Sequence, residues 1–237
     1  MAFSIVQSVS ATATSAGSIT KTISSTGSGN LLLIAAVCSN STQVISVSVA
    51  AGTAQTFVNM ANDINNGGTG QLDAWYVKNC ASGTTSITAS RASGAGQWTL
   101  VITEVSGANA TSPLDQTAFS TSTGTTGTTA TTTQTVEFWW AVFMCCSSGA
   151  GGLPSVTAIS SPWTSDQAAN SSLAGGNTDT AIATAYQTVS ATGTANATAT
   201  DNNAAGNGTA GFTATFKGAA AGATTTSPQL MMMGMGN

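Results

Sequence analysis

Leu31-Leu32-Leu33-Ile34-Ala35-Ala36-Val37-Cys38 is apolar at every position, with Gly29-Asn30 before it and Ser39-Asn40-Ser41-Thr42 after it. Such a run is too short to cross a bilayer as a helix. A short apolar run closed at both ends by turn residues reads as a strand buried on both faces. A second run of the same character, Thr135-Val136-Glu137-Phe138-Trp139-Trp140-Ala141-Val142-Phe143-Met144-Cys145, lies further along the chain. These two stretches set the reading of everything around them.

Strand-like runs bounded by Gly, Ser and Asn flank the first: Phe3 to Val9, Ser18 to Ile23, Gln43 to Val49, Gln55 to Val58, Leu72 to Val77, Thr85 to Ala89 and Trp98 to Val105. A second series follows: Thr132 to Cys146, Ser155 to Ile159, Thr180 to Val189, Ala195 to Thr200 and Gly211 to Phe216. No apolar period of 3.6 residues persists for ten residues, so no helix longer than a turn or two is expected. The series echo each other. Asp73-Ala-Trp-Tyr-Val-Lys-Asn-Cys matches Ala183-Thr-Ala-Tyr-Gln-Thr-Val-Ser, and Trp98-Thr-Leu-Val-Ile-Thr-Glu-Val matches the stretch from Ala210 to Lys217. The offset stays at roughly 105 to 111 residues, the signature of an internal repeat.

The expected fold class is therefore all-β, a jelly-roll-like antiparallel β-sandwich built from an internal duplication. It is read as one domain over 1–237 whose halves, about 1–112 and 130–220, interlock in a single sandwich. The Thr/Ser/Gly-rich segment 117–133 joins them and 221–237 forms a C-terminal tail. Within that segment, Ser120 to Thr133 reads either as a flexible linker or long loop or as an extended arm lying on a neighbouring subunit.

Composition excludes several functions. The 237 residues carry four basic and eight acidic side chains, against roughly 60 charged residues in an average chain of this length. Ser, Thr, Asn, Gln and Gly must face water instead. Disorder is not implied, because Pro, Glu and Lys are scarce while strand-forming Thr, Val, Ile, Phe and Trp are plentiful. A net charge of −4 with no basic cluster leaves nothing to neutralise phosphates, so no nucleic-acid partner is expected. No positive charge precedes Lys21 and no apolar run reaches signal-peptide length, so the chain is expected to be made in the cytosol and not to enter a membrane.

Candidate chemistry is sparse. Histidine is absent, which removes His-based triads and His-ligated metals. The acids Asp63, Asp73, Glu104, Asp115, Glu137, Asp166, Asp179 and Asp201 are scattered singly, with no paired carboxylates in sequence for glycoside hydrolysis. Asp63-Ile-Asn-Asn-Gly-Gly opens like a calcium loop but lacks the closing glutamate, and Asn66-Gly67 is a turn signal. Gly149 to Gly152 and Gly175-Gly176 precede no helix carrying Lys and Ser/Thr, so they are turns and not phosphate cradles. No enzyme activity, cofactor or metal is expected. Asn40, Asn109, Asn170, Asn196 and Asn207 lie in Asn-X-Ser/Thr sequons, near chance for this composition, and are expected to be bare.

Two groups remain as candidate sites. Trp75 and Tyr76 are neighbours on one strand, as are Trp139 and Trp140, so one ring of each pair is expected to face outward. Together with Trp163 these form a candidate subunit interface or glycan-stacking platform. Cys38 and Cys80 each end a strand and could form a disulfide. The alternative is that they are small buried hydrophobes, as Cys145 and Cys146 are.

The phrases Asn30-Leu-Leu-Leu-Ile-Ala-Ala-Val, Asp73-Ala-Trp-Tyr-Val-Lys-Asn, Glu104-Val-Ser-Gly-Ala and Ser112-Pro-Leu-Asp-Gln-Thr resemble a widespread group of duplicated β-sandwich proteins over roughly residues 3 to 220. That group resembles bacteriophage virion accessories, such as capsid decoration or fibre proteins, and bacterial surface modules. The resemblance implies a homo-oligomeric structural protein on the virion capsid exterior, with the major capsid protein or another virion protein as partner. The alternative it leaves open is a carbohydrate-binding or adhesive module of a tail fibre or surface filament, extracellular or at the cell surface, with surface glycans as partner.

Overall fold

A computed structural model describes residues 2–39, 45–65, 70–147, 154–171, 179–201 and 208–220. The Asn66-Gly67 turn, the Gly149 to Gly152 and Gly175-Gly176 turns, the Asn40 and Asn207 sequons and the tail 221–237 lie outside the described residues.

All regular structure among the described residues is strand, and every pairing is antiparallel. The first half supplies β1 (Ser4–Ala16), β2 (Ser18–Thr22), β3 (Leu31–Ser39), β4 (Ile45–Ala51), β5 (Val58–Ile64), β6 (Gly70–Val77), β7 (Ser86–Arg91) and β8 (Gly96–Ser106). The second supplies β9 (Leu114–Ser120), β10 (Glu137–Ser147), β11 (Val156–Thr157), β12 (Thr164–Ser171), β13 (Asp179–Val189), β14 (Thr200–Asp201) and β15 (Thr209–Lys217). Two five-stranded sheets result, in the orders β1-β8-β3-β6-β5 and β9-β15-β10-β13-β12. Matched in chain order, the two have the same connectivity. Leu33 pairs with Tyr76 in the first sheet as Trp140 pairs with Tyr186 in the second.

The large sheets pack face to face. Leu31, Leu33, Ala35 and Val37 of β3 and Phe138, Trp140, Val142 and Met144 of β10 share one core. The alternate residues point the other way, as the two-residue period of a strand demands. Leu32, Ile34, Ala36 and Cys38 meet the small sheet β2-β7-β4. Trp139, Ala141, Phe143 and Cys145 meet a cover that includes Val156, Trp163, Ala195 and Ala197. The molecule thus has four layers with three cores between them, and this explains why β3 and β10 are apolar at consecutive positions.

One expectation changes and one choice between alternatives is decided. Ladder pairing stays within each half, the bridge Ala108 to Gly218 being the described exception, so the halves stack on each other instead of interlocking in one sandwich. Doubly apolar strands are equally satisfied by stacked layers, which sequence periodicity cannot separate from shared ones. Of the readings of Ser120 to Thr133 the long loop holds, and that loop is docked on its own half instead of swinging free or lying on a neighbour. The N–H groups of Thr126, Thr129 and Thr132 donate to the carbonyls of Ala197, Ala195 and Gly193 at 3.1, 3.0 and 2.8 Å. The hydroxyls of the same three threonines accept from the N–H groups of Ala197, Ala195 and Gly193 at 3.0, 2.9 and 3.1 Å. Each inward threonine gives two hydrogen bonds, so a segment without large apolar residues closes the outermost layer.

Candidate functional site

The aromatic platform does not form on the surface. Trp75 lies in the core under β2-β7-β4, Tyr76 and Trp140 lie between the large sheets, and Trp139 and Trp163 fill the outer core of the second half. All five are at most 8% exposed. A two-layer sandwich would have left one ring of each neighbouring pair facing out, but four layers cover both faces of the central strands. Tyr76 stands edge-on to Phe216 at 5.9 Å, and Trp139 packs against Trp163 at 6.3 Å. In this chain these rings are packing groups.

Cys38 and Cys80 are free thiols, both buried. Cys80 N–H bonds the carbonyl of Asn30 before β3, whereas Cys38 is at the far end of that strand. At about 3.4 Å per strand residue the two stand roughly 27 Å apart, far beyond the ~7 Å Cα limit for a disulfide. Burial pushes the thiols of Cys38 and Cys80 up to about 11, that of Cys145 to about 12 and that of Cys146 well above its usual value. They stay protonated and are poor nucleophiles.

Two places gather polar groups. At one margin of the central double layer, Asp166 Oδ2 on β12 accepts from Ser8 Oγ at 2.7 Å and Thr103 Oγ1 at 3.0 Å, while Gln167 Nε2 donates to Ser8 O at 3.1 Å. These bonds close the seam between β1 and β12. The opposite seam, between β5 and β9, is open. A groove of about 520 Å³ lies there, lined in part by Met60, Asn62, Asp63, Asn65, Thr117 and Phe119. Phe119 is 65% exposed. On the neighbouring strand β6, Asp73 accepts from Asp63 N–H at 3.1 Å and Gln71 Nε2 at 2.7 Å.

The second gathering unites three of the few charged residues on three adjacent strands. The register sets Glu137 of β10 beside Lys217 of β15, and β9 is the next strand. The pairing of β9 with β15 shifts between Leu114 and Gln116, leaving Asp115 as the extra residue of a bulge, a device that re-aims a side chain. Asp115 Oδ1 lies 3.7 Å from Lys217 Nζ, with the Asp115 side chain 3% and that of Lys217 21% exposed. Thr133 donates to Asp115 twice, through N–H and hydroxyl, each at 2.6 Å. Glu137 is fully buried, and its Oε2 accepts from Trp139 Nε1 at 3.2 Å.

Electrostatics divides the two carboxyls. Burial, then hydrogen bonding to Asp115 and its charge, push Glu137 up to about 7. Burial also opposes ionisation of Asp115, but the Thr133 donors, Glu137 and the Lys217 ammonium outweigh it and hold Asp115 below the usual carboxylate range. The Thr215 hydroxyl also favours the Glu137 anion, and a proton on Glu137 shared with Asp115 gives Oε1 the partner it otherwise lacks. None of the three residues stood out as a site in the sequence, since they lie far apart. The available signal was scarcity, for a chain with so few charges rarely spends three on neighbouring strand ends.

Among the described residues no three His, Cys, Asp or Glu side chains are grouped to hold a metal ion, and no helix is long and apolar enough to cross a membrane. No protein-family model, no curated protein and no solved structure matches the chain.

Proposed function

We propose that this chain is a non-enzymatic structural protein of a surface assembly, most specifically a decoration protein bound in many copies to the exterior of a bacteriophage head. Its partner is the major capsid protein or another virion protein, it assembles as a homo-oligomer, and its two halves descend from one duplicated unit. The recurring strand order supports the duplication. The observation that carries the functional reading is the distribution of surface. Four layers consume both faces of the central strands, leaving edge strands that carry no more than one charged side chain each. Uncharged strand edges recruit other chains unless they are covered, and a repeating shell supplies that cover. Electron microscopy of the native particles with antibody against this chain tests the reading. Regular labelling of heads is expected; labelling confined to tail tips or cell-surface filaments overturns it.

One observation favours a second reading, an adhesive or carbohydrate-binding module. The open β5/β9 seam sets the exposed ring of Phe119 beside Asn62, Asp63 and Asn65, the mixture of ring face and polar groups that a sugar needs. Glycan-array binding that Phe119→Ala abolishes would establish it.

A further inference from the structure

We propose that Lys217 and Asp115 join through an intramolecular amide bond, formed by the protein itself with Glu137 as the proton-transferring group. The Lys217 Nζ already lies 3.7 Å from Oδ1 of the Asp115 carboxyl whose Cγ it would attack, so only a small approach separates the pair from reactive distance. Three hydrogen-bonded strands, β9, β15 and β10, fix the three residues relative to one another. Two Thr133 donors pin the Asp115 carboxyl, and Trp139 pins Glu137. Few rotamers remain to be ordered before reaction.

The balance needs no outside reagent. Lys217 enters as ammonium and Asp115 as carboxylate; transfer of one proton from Nζ to an Asp115 oxygen gives a neutral amine beside a neutral acid. Nζ then attacks Cγ, the N–C bond forms, and the carbonyl electron pair moves onto oxygen. Glu137, fully buried and hydrogen-bonded to Asp115, gives its proton to that oxygen and takes one from the nitrogen. It next protonates the departing hydroxyl, the C–O bond breaks and water leaves. The remaining hydroxyl proton returns to Glu137, which ends as the acid it was. The partly exposed end of Lys217 gives the water an exit. Replacing a desolvated ion pair by a neutral amide removes two charges that burial penalises, which favours the product.

The equivalent corner of the first half cannot react in this way. There Glu104 is held by Gln7 Nε2 and Asn30 Nδ2, both at 2.6 Å, and by Gly27 N–H at 2.7 Å, with no lysine in the set. One cross-link per chain is therefore expected, within the second half.

Mass spectrometry of the denatured full-length chain tests the proposal. The expected mass is that of the sequence less one water, with a branched peptide after digestion that joins the segment around Asp115 to the one around Lys217. Asp115→Ala and Lys217→Arg should restore the full mass. Asp115→Asn should lose one ammonia in place of water, which distinguishes the reaction from any other dehydration. Glu137→Gln, nearly isosteric, should keep the β-sheet circular dichroism and the full mass. A natural chain at full mass with Lys217 open to acetylation overturns the proposal, as does a branch mapped to other residues. A Glu137→Gln chain that loses water as completely as the natural one overturns the part given to Glu137.

Discussion

Burial raises Asp73 to about 6, the Asp63 charge adding to it, against the hydrogen bonds from Gln71 and Asp63 N–H that favour the ion. A carboxyl whose folded pKa exceeds its unfolded value holds its proton more tightly when folded. Its stabilisation is complete below about pH 4 and is lost as the pH rises to about 6. Glu137, raised to about 7, extends the same loss upward. Urea unfolding should therefore show the chain less stable at pH 8 than at pH 4, and Asp73→Asn should remove roughly 2 kcal/mol of that difference. An unchanged pH dependence in Asp73→Asn would place the titration elsewhere. Trp139 makes a second residue-level case. Its ring fills the outer core and its N–H serves Glu137, so Trp139→Ala should cost about 3–5 kcal/mol. A variant that unfolds normally but loses glycan binding would restore the exposed-platform reading of the sequence.

Among elements, the Ser120 to Thr133 segment was the least legible. Composition marks it as a loop, and the period that matters is three: Thr126, Thr129 and Thr132 are buried while Thr128 and Thr131 are exposed. Period-two and period-3.6 templates both miss it. Thr129→Val keeps the shape but leaves the Ala195 N–H without its side-chain acceptor, and should cost about 1–2 kcal/mol in thermal unfolding. Thr131→Val, on the exposed side, should stay within about 0.5 kcal/mol. Equal effects would mean the segment is not docked. Gly211 on β15 makes the same point from below. A Cβ there would collide with Thr125 O and lie 2.8 Å from Thr126 Cα, so Gly211→Ala should lift the segment and raise hydrogen exchange at Ala195 and Ala197. The central strands β3, β6, β8, β10, β13 and β15 were legible because they are buried on both faces and rich in apolar or β-branched residues. The edge strands β9 and β12 were not, since Leu114–Ser120 and Thr164–Ser171 are half exposed and carry few large side chains.

For the whole molecule, the sequence conveyed class but not layering. Apolar faces on both sides of β3 and β10 require covers on both sides, and only the register shows that each half brings its own outer cover while sharing the inner one. The shared core makes the halves one cooperative body, so residues 2–112 alone would expose Leu31, Leu33, Ala35 and Val37 and should aggregate. The amide between Asp115 and Lys217 would close a loop of about 100 residues, a constraint worth ~4–5 kcal/mol by analogy with a disulfide. It would also hold in a reducing compartment, where the four thiols remain free. Under the proposed function, such a body would carry a static load on a particle surface.

The most direct test of the structural role is quantitative mass spectrometry of purified native particles, comparing the amount of this chain with that of the coat protein. Many copies per particle, in a constant ratio to the coat protein across preparations, are expected of a decoration protein. Absence from the particles, or only a few copies that leave with the tails, would contradict the assignment.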